Sequence, residues 1–197
     1  MKYYRIVATE NGENILIRRA TQREVITTEG KYINEGALDV PVKIEMHVGE
    51  NAGYNQYTPG LTDEVEFVNF EDRLLDFYQL VPLMSKRLID AFREAGVDNI
   101  QSFPVKIENI ETKEVLNKEY LLVNVVGLIS CANLEGTEYV NLGDAYDFID
   151  LKIHKDKAKQ LPLFRLAESP YEIIVNGRIA NIINSEKYKG ISAELVS

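Results

Sequence analysis

Apolar residues alternate with polar ones in the first part of the chain, which is the pattern of half-buried β-strands. Met1 to Thr9 is rich in Tyr, Ile and Val and predicts a first strand, with Ile15 to Arg18 pairing back onto it as a hairpin. Val40 to Val48 alternates along its length and predicts another half-buried strand. Val65 to Phe70 predicts a short strand, and Asp72 to Tyr78 predicts a helical turn.

A strand–helix–strand unit begins near Leu80, where the apolar period changes to helical spacing. Ser85 is a typical helix N-cap, because its hydroxyl can accept a backbone N–H of the first turn. Apolar residues then recur every three or four positions up to Ala95, and Gly96 follows where a left-handed residue is favoured. Ser102 to Ile107 predicts the strand that completes the unit.

The C-terminal part of the chain repeats this order. Ile173 to Val175 predicts a strand, Asn176 a cap, Gly190 the end of a helix, and Ile191 to Val196 a last strand. The two units therefore predict an internal strand–helix–strand duplication. Two ordinary amphipathic helices that resemble each other by chance are the alternative.

The most apolar segment lies between these two units. Glu119 to Ile129 is apolar on both faces and predicts a central strand, in which a buried Asn124 must be hydrogen-bonded. Residues 148–153 and 162–166 predict two more strands. Many strands with two to four short helices predict an α+β fold with a mostly antiparallel or mixed sheet.

The chain length of 197 residues is compatible with one domain or two small ones. We divide it into an N-terminal β-rich region, residues 1–79, and an α+β domain, residues 80–197, packed together. No apolar run reaches the roughly 20 residues of a membrane span, and the N-terminus lacks the apolar segment of a signal peptide. With only one cysteine, the composition favours a cytoplasmic protein.

The net charge of −9 changes the range of partners to be expected. Nucleic acid and anionic membrane surfaces are disfavoured, because both require a basic face. Residues 61–80 and 131–151 each carry a net charge of −5, whereas residues 152–197 carry +3. The two acidic stretches are either solvated loops that aid solubility or contact surfaces for a basic partner.

The sequence contains no recognisable spacing of metal ligands and no recognisable motif of a catalytic nucleophile. His47, His154 and Cys131 lack metal-ligand spacing to one another, and Cys131 reads as a buried small hydrophobe. The chain contains neither a phosphate-binding glycine loop nor a nucleophile elbow. Arg165 lies within an apolar run, where it either fixes local structure or ends in a pocket. We therefore expect no metal and no cofactor.

Asp144, Asp147 and Asp150 recur every three residues. An EF-hand would need ligands at steps of two residues, an internal glycine and a closing glutamate. These aspartates therefore read as loop acids that flank Tyr146 and Phe148. A pair of carboxylates that performs acid–base catalysis remains an alternative, because the chain has 31 acidic residues. The sequence favours no particular pair.

Residues 80–197 resemble the eleventh immunity family of bacterial polymorphic toxin systems, formerly a domain of unknown function. The similarity lies in Tyr-Leu-Leu-Val-Asn-Val-Val at 120–126, Leu-Phe-Arg-Leu at 163–166 and the strand–cap–helix–Gly unit at 173–191. Leu-Met-Ser-Lys-Arg-Leu at 83–88, followed by Gly96, is also similar. The resemblance implies a small cytoplasmic protein that is encoded beside a toxin and binds it. It implies no catalytic residues.

These observations lead to one leading hypothesis and two alternatives. The leading hypothesis is a non-enzymatic immunity protein that neutralises a cognate secreted toxin by occluding it, the toxin domain being basic. The alternatives are a small enzyme with a carboxylate-based site and a structural oligomerising module, and the oligomeric state stays open. The candidate toxin-binding residues are the acids of the two stretches, Asp63, Glu64, Glu66, Glu71, Asp72, Asp76, Glu135, Glu138, Asp144, Asp147 and Asp150.

Overall fold

The structure is a computed structural model of the 197-residue chain. It describes residues 1–9, 16–19, 44–49, 75–78, 83–109, 115, 119–143, 146–158 and 160–196. Across these residues it has two helices and thirteen strands, which agrees with a sheet-rich α+β fold. None of its helices is long and apolar enough to span a membrane within the described ranges.

A five-stranded sheet brings the two ends of the chain together. Its order is β13-β1-β12-β11-β8, with β1 antiparallel to both of its neighbours and β8 parallel to β11. Its strands are β1 (Tyr3–Ala8), β8 (Leu128–Ile129), β11 (Leu163–Leu166), β12 (Ser169–Asn176) and β13 (Ile191–Val196).

A second, six-stranded sheet has the order β2-β3-β6-β7-β5-β4. It is mixed, because β3 and β6 are parallel while the other neighbours are antiparallel. Its strands are β2 (Leu16–Arg19), β3 (Ile44–Gly49), β4 (Phe77–Tyr78), β5 (Leu83–Ser85), β6 (Ile100–Asn109) and β7 (Tyr120–Val125).

Two helices and a two-stranded ribbon complete the described fold. Helix α1 spans Lys86–Glu94 and helix α2 spans Gly177–Ile183. The ribbon pairs β9 (Glu138–Asn141) with β10 (Tyr146–Asp150) in antiparallel fashion.

Both predicted helix N-caps are confirmed. The Ser85 side chain accepts the Leu88 N–H, and the Asn176 side chain accepts the Ile179 N–H at 3.1 Å. Each bond satisfies one backbone donor that the first helical turn leaves without a partner. These local hydrogen bonds explain why both helices begin where the sequence pattern predicts.

The helix end predicted at Gly190 is wrong. Helix α2 ends at Ile183, with Asn184 as its C-cap. Gly190 is needed for a different reason, since its φ is +75° and a Cβ there would lie 2.7 Å from the Cβ of Leu75. The glycine therefore allows the chain before β13 to approach the segment before β4 closely.

Three other predictions about the elements need correction or lie outside the described residues. The hairpin between the first two strands is wrong, since both edges of β1 are occupied by β12 and β13. The described part of the turn predicted at Asp72 to Tyr78 contains strand β4 instead of a helix. The strand predicted at Val65 to Phe70 lies outside the described residues.

The predicted central strand Glu119 to Ile129 is two strands in two different sheets. β7 lies between β5 and β6 in the six-stranded sheet, whereas β8 pairs with β11 in the five-stranded sheet. The break falls at Gly127, whose φ of +109° suits glycine and no ordinary strand residue. A continuous apolar run therefore connects the sheets instead of crossing one of them.

Two apolar clusters hold these layers together. The larger cluster contains residues of both helices and of both larger sheets, among them Ile6, Phe92, Val123 and Ile179. The smaller cluster involves Tyr3 and Phe164 of the five-stranded sheet and Phe148 of the ribbon. Side chains alternate along β1, so Tyr3 and Ile6 contribute to different clusters and the five-stranded sheet is covered on both faces.

The division of the chain into residues 1–79 and 80–197 stays a prediction, as does the internal duplication. Strands of the first segment pair with strands of the second, since β1 joins β12 and β13 and β3 joins β6. In each strand–helix–strand unit, a third strand lies between the two strands of the unit and is antiparallel to both. This third strand is β7 in the unit of β5 and β6, and β1 in the unit of β12 and β13.

Candidate functional site

The β9–β10 ribbon has two chemically different faces because its side chains alternate. In its register, Phe148 lies opposite Tyr139, and Asp147 lies opposite Val140. The register shifts between Phe148 and Asp150, so that Asp150 pairs with Glu138. Such a bulge adds one residue to a strand and re-aims the side chains around it.

The inner face of the ribbon is aromatic. The rings of Tyr139 and Tyr146 meet edge to face with centroids 5.0 Å apart, and Tyr139 meets Phe148 in the same way at 6.2 Å. Phe148 is buried in the smaller apolar cluster, with the two tyrosines packed against it. Aromatic pairs of this geometry stabilise beyond the area they bury, so the ribbon is fixed from within.

Hydrogen bonds attach the ribbon to its surroundings along its length. Arg5 on β1 donates from Nη1 to the carbonyl of Phe148 at 3.0 Å. The Tyr146 N–H donates to the carbonyl of Glu168 at 3.1 Å. At the base of the ribbon, the Lys152 N–H donates to Oγ1 of Thr137 at 3.0 Å. The first two contacts hold β10 against the five-stranded sheet, and the third joins the two chain segments at the base of the ribbon.

The opposite face, which we call the outer ribbon face, consists of Glu138, Val140, Asp147, Ile149 and Asp150. All five are exposed, and the two apolar residues expose 49% (Val140) and 59% (Ile149) of their surface. Three acidic side chains thus lie beside two exposed branched apolar side chains. The ribbon that carries them is packed against the smaller apolar cluster. Apolar and acidic side chains are thus interspersed on one exposed face, which suits contact with another protein.

The structure places four predicted acids of the second acidic stretch on or beside this ribbon. Glu138, Asp147 and Asp150 belong to the outer ribbon face, and Glu135 is exposed in the turn before β9. Asp147 and Asp150 lie within strand β10, so the interpretation of these aspartates as loop acids is wrong for both of them. Asp144 lies outside the described residues.

Among the described residues, the charge of the outer ribbon face is only partly compensated. Asp150 Oδ2 lies 3.3 Å from Lys152 Nζ, and both side chains are well exposed. The register sets Asp150 directly opposite Glu138, and like charges opposite each other in an antiparallel pair are unfavourable. A cationic group that approaches this face would relieve the repulsion.

Most of the first acidic stretch lies outside the described residues. Asp76 is the one predicted toxin-binding acid of this stretch that the structure describes. Asp76 is buried, with 3% of its surface exposed. The members outside the described residues are Asp63, Glu64, Glu66, Glu71 and Asp72.

Asp76 fixes three parts of the chain to one another. Its carboxylate accepts hydrogen bonds from the Arg87 guanidinium (Nε at 2.7 Å), from Ser85 Oγ and from the Lys189 N–H at 2.8 Å. Burial alone raises the pKa of Asp76, but these donors outweigh burial and hold the pKa below its ordinary value. Asp76 is therefore an ionised structural side chain in the interior.

A second carboxylate, Glu172, lies on β12 near the ribbon. Its Oε1 is 3.7 Å from Arg5 Nη1, and the Glu172 side chain is 12% exposed. Burial raises the pKa of Glu172, and the nearby charges of Asp147 and Glu194 raise it further, against the opposing effect of Arg5. Arg5 also donates from Nη2 to Glu194 Oε2 at 3.0 Å, so it is shared between two carboxylates.

The two other side chains considered for a chemical role, Cys131 and Arg165, are both buried in the fold. Cys131 is fully buried, and burial raises the pKa of its thiol to about 12. Arg165 is buried in β11 and donates from Nε to the carbonyl of Val125 at 2.9 Å, which links the two large sheets. Within the described ranges, no three His, Cys, Asp or Glu side chains are grouped so that they could hold a metal ion.

Sequence reasoning missed the apolar members of the outer ribbon face, Val140 and Ile149. A charge count cannot find them, because it registers only ionisable residues. The alternation of Glu138, Tyr139 and Val140 was a usable signal, since a period of two places an acid and an apolar residue on the same face. The same alternation could not predict how Ile149 and Asp150 are arranged, because their arrangement depends on the bulge in β10.

The fold and the ribbon therefore describe an α+β protein whose chemically distinct surface is suited to binding another protein. The model of the immunity protein family (Imm11) matches residues 2–196, which is nearly the whole chain. The chain belongs to this family, and the match includes the N-terminal part that the resemblance over residues 80–197 left out. A search of curated proteins finds no significant match.

Proposed function

We propose that this protein neutralises a cognate secreted bacterial toxin by binding the toxin domain directly and occluding it. The family match over residues 2–196 is the observation that carries the proposal, because immunity is the role that defines the family. The toxin belongs to a polymorphic toxin system and is encoded beside this chain. The immunity protein acts in the cytoplasm of the producing cell and its kin.

The chemistry of the second acidic stretch supports a basic toxin domain. Glu135, Glu138, Asp147 and Asp150 are exposed on or beside one ribbon, in a stretch that contains no lysine or arginine. Clustered charge of one sign speeds association with an oppositely charged partner. Toxin domains that act on nucleic acid carry such basic surfaces, because they must bind phosphates.

Coexpression with the toxin tests this function. The probe is the C-terminal domain of the secreted protein encoded in the adjoining reading frame, produced with and without this chain in a sensitive bacterium. We expect the chain to restore growth and to co-elute with the toxin domain as a stable complex. Lack of rescue, or rescue without a complex, would contradict neutralisation by binding.

The stoichiometry of protection separates this function from the enzymatic alternative. A chain that occludes the toxin protects only when it is present in at least equimolar amount, whereas an enzyme that modifies the toxin protects at substoichiometric amounts. Titration of the purified chain into a toxin activity assay measures the ratio. Light scattering of the free chain addresses the oligomerising alternative, which requires a defined oligomer without toxin.

A further inference from the structure

We propose that the outer ribbon face is the surface that the toxin occupies, and that the toxin presents to it apolar side chains interspersed with lysine or arginine side chains. This inference rests on the proposed function and names the contact through which binding takes place. It concerns Glu138, Val140, Asp147, Ile149 and Asp150, all of which are exposed.

Exposed apolar side chains concentrate near the ribbon. Of the seven large hydrophobic residues exposed in the described part of the chain, Val140, Leu142 and Ile149 lie within one ten-residue span. The other four are Met1, Val115, Tyr171 and Leu195, which are scattered along the sequence. Two of these three, Val140 and Ile149, lie on the strand pair itself, and Leu142 directly follows β9. Single exposed apolar residues are ordinary, whereas apolar residues exposed close together are typical of contact surfaces.

Charge on the same face selects the chemistry of the partner. Asp147 lies directly opposite Val140, and Asp150 lies opposite Glu138, so carboxylates border the apolar residues along both strands. In the part of the chain that the structure describes, one of them has a cationic partner, since Lys152 Nζ lies 3.3 Å from Asp150. An acidic or neutral partner surface would bury these carboxylates without adding counter-charges, whereas lysine or arginine side chains of the partner would pair with them.

The backing of the ribbon favours tight binding. Phe148 is buried, and its carbonyl accepts a hydrogen bond from Arg5 on the neighbouring sheet. Tyr139 and Tyr146 pack edge to face behind the outer ribbon face. A surface held in place before binding loses less conformational entropy when it is covered.

Footprinting with a single introduced cysteine tests the proposal. The only native cysteine, Cys131, is fully buried, and the pKa of its thiol is raised to about 12, so iodoacetamide should not react with it in the folded chain. In Ile149→Cys, iodoacetamide should react rapidly with the free chain. Addition of the toxin domain at about ten times its Kd should slow alkylation by about tenfold, since only the unbound fraction reacts.

Leu195→Cys is the matched control, because Leu195 is equally exposed at 59% but lies on β13. Its alkylation should stay fast with and without the toxin domain. If the wild-type chain forms no complex with the toxin domain, the proposed function fails. If the complex forms while Ile149→Cys still reacts as fast as in the free chain, only the assignment of this surface is overturned.

Two other occupants of the face have different signatures. A segment of the chain itself would make Ile149→Cys react as slowly as Cys131 even without the toxin domain. A second copy would make its alkylation slow down with increasing chain concentration, and light scattering would show a dimer of the wild-type chain. Either result would overturn the proposal.

Discussion

Asp76 illustrates at the residue scale how a carboxylate from an acidic stretch becomes structural. Its charge is compensated by Arg87 and by hydrogen bonds from Ser85 and from the Lys189 backbone. Arg87 also lies over the ring of Tyr188, with its guanidinium carbon 5.4 Å from the ring centroid. One side chain thus ties the segment before β4 to the start of α1 and to the chain before β13.

We expect Asp76→Asn to destabilise the protein by about 2–3 kcal/mol, because it weakens charge-assisted hydrogen bonds to a buried acceptor. Urea denaturation measures the loss, and Asp90→Asn is the control. Asp90 is a helix residue whose side chain is 40% exposed and paired with Lys86, so its variant should change stability by less than about 1 kcal/mol. Equal effects of the two variants would contradict the structural role of Asp76.

The lowered pKa of Asp76 also sets the pH at which its contribution disappears. Its stabilisation is fully present above the unfolded-state pKa of about 3.9 and is lost as pH falls through the lower folded-state pKa. The stability difference between the wild type and Asp76→Asn should therefore shrink in this acidic range. A difference that stays constant down to the lowest pH would show that the charge is not responsible.

Glu172 has the opposite pH dependence. Because burial raises its pKa in the folded state, the ionised carboxylate opposes folding at neutral pH, and this cost falls as pH drops through the folded pKa. We expect Glu172→Gln to be more stable than the wild type at pH 7 and to match it near pH ~4. Chemical denaturation at several pH values measures this.

Glu194→Gln is the control for Glu172, since Glu194 pairs with the same Arg5 but is 55% exposed. Its variant should change stability by less than about 1 kcal/mol at any pH. A loss of stability in Glu172→Gln at neutral pH would mean that the interaction with Arg5 outweighs the burial of the charge.

At the scale of elements, two glycines that follow the helices have different roles. Gly96 has a φ of +90°, and the space that a Cβ would occupy there is open, so only its backbone conformation requires glycine. Gly190 has a φ of +75° and also lies against Leu75. Glycine is therefore required after α1 for its backbone conformation, whereas before β13 it also permits a close tertiary contact.

We expect Gly96→Ala to cost about 1–2 kcal/mol, the penalty for a left-handed conformation in a residue with a Cβ. Gly190→Ala should cost clearly more, because its new methyl group also collides with Leu75. Thermal unfolding measures both, and Leu75→Ala should recover part of the extra cost of Gly190→Ala. Equal losses in the two glycine variants would show that Leu75 moves away freely.

The pattern of alternation located strands well but did not reveal their partners. β1, β6 and β13 lie where apolar and polar residues predict them. The hairpin expected between the first two strands does not form, because β2 pairs with β3 in the other sheet. Local pattern specifies which face of a strand is buried, whereas pairing depends on segments far apart in the chain.

At the scale of the whole molecule, charge and apolar surface coincide on the ribbon. The ribbon packs on the five-stranded sheet through the smaller apolar cluster, and the outer ribbon face is exposed on its other side. If the toxin binds at this face, the rate of association should depend on the acidic residues of the outer ribbon face.

We expect the double variant Glu138→Lys, Asp150→Lys to associate with the toxin domain about tenfold more slowly at low salt, because it removes electrostatic steering. Its association rate should also depend less on ionic strength. Stopped-flow or surface-based kinetics measures both, with Glu94→Lys on α1 as an exposed charge-reversal control. An unchanged association rate together with unchanged protection would remove the electrostatic part of the proposal.

The sequence by itself determined the α+β class, most of the described strands, both helix starts and the resemblance to an immunity family. These features are local, since they follow from alternation, helical spacing and capping by Ser85 and Asn176. Charge counting also found the acidic stretch that contains Glu138, Asp147 and Asp150.

Only the tertiary structure decided which acids are available to a partner. Asp76 and Asp147 are the same residue type in two acidic stretches, yet one is buried beside Arg87 and the other is exposed opposite Val140. The break at Gly127 and the bulge before Asp150 likewise depend on how the strands pair. Burial and pairing join residues distant in sequence, so a pattern read along the chain cannot specify them.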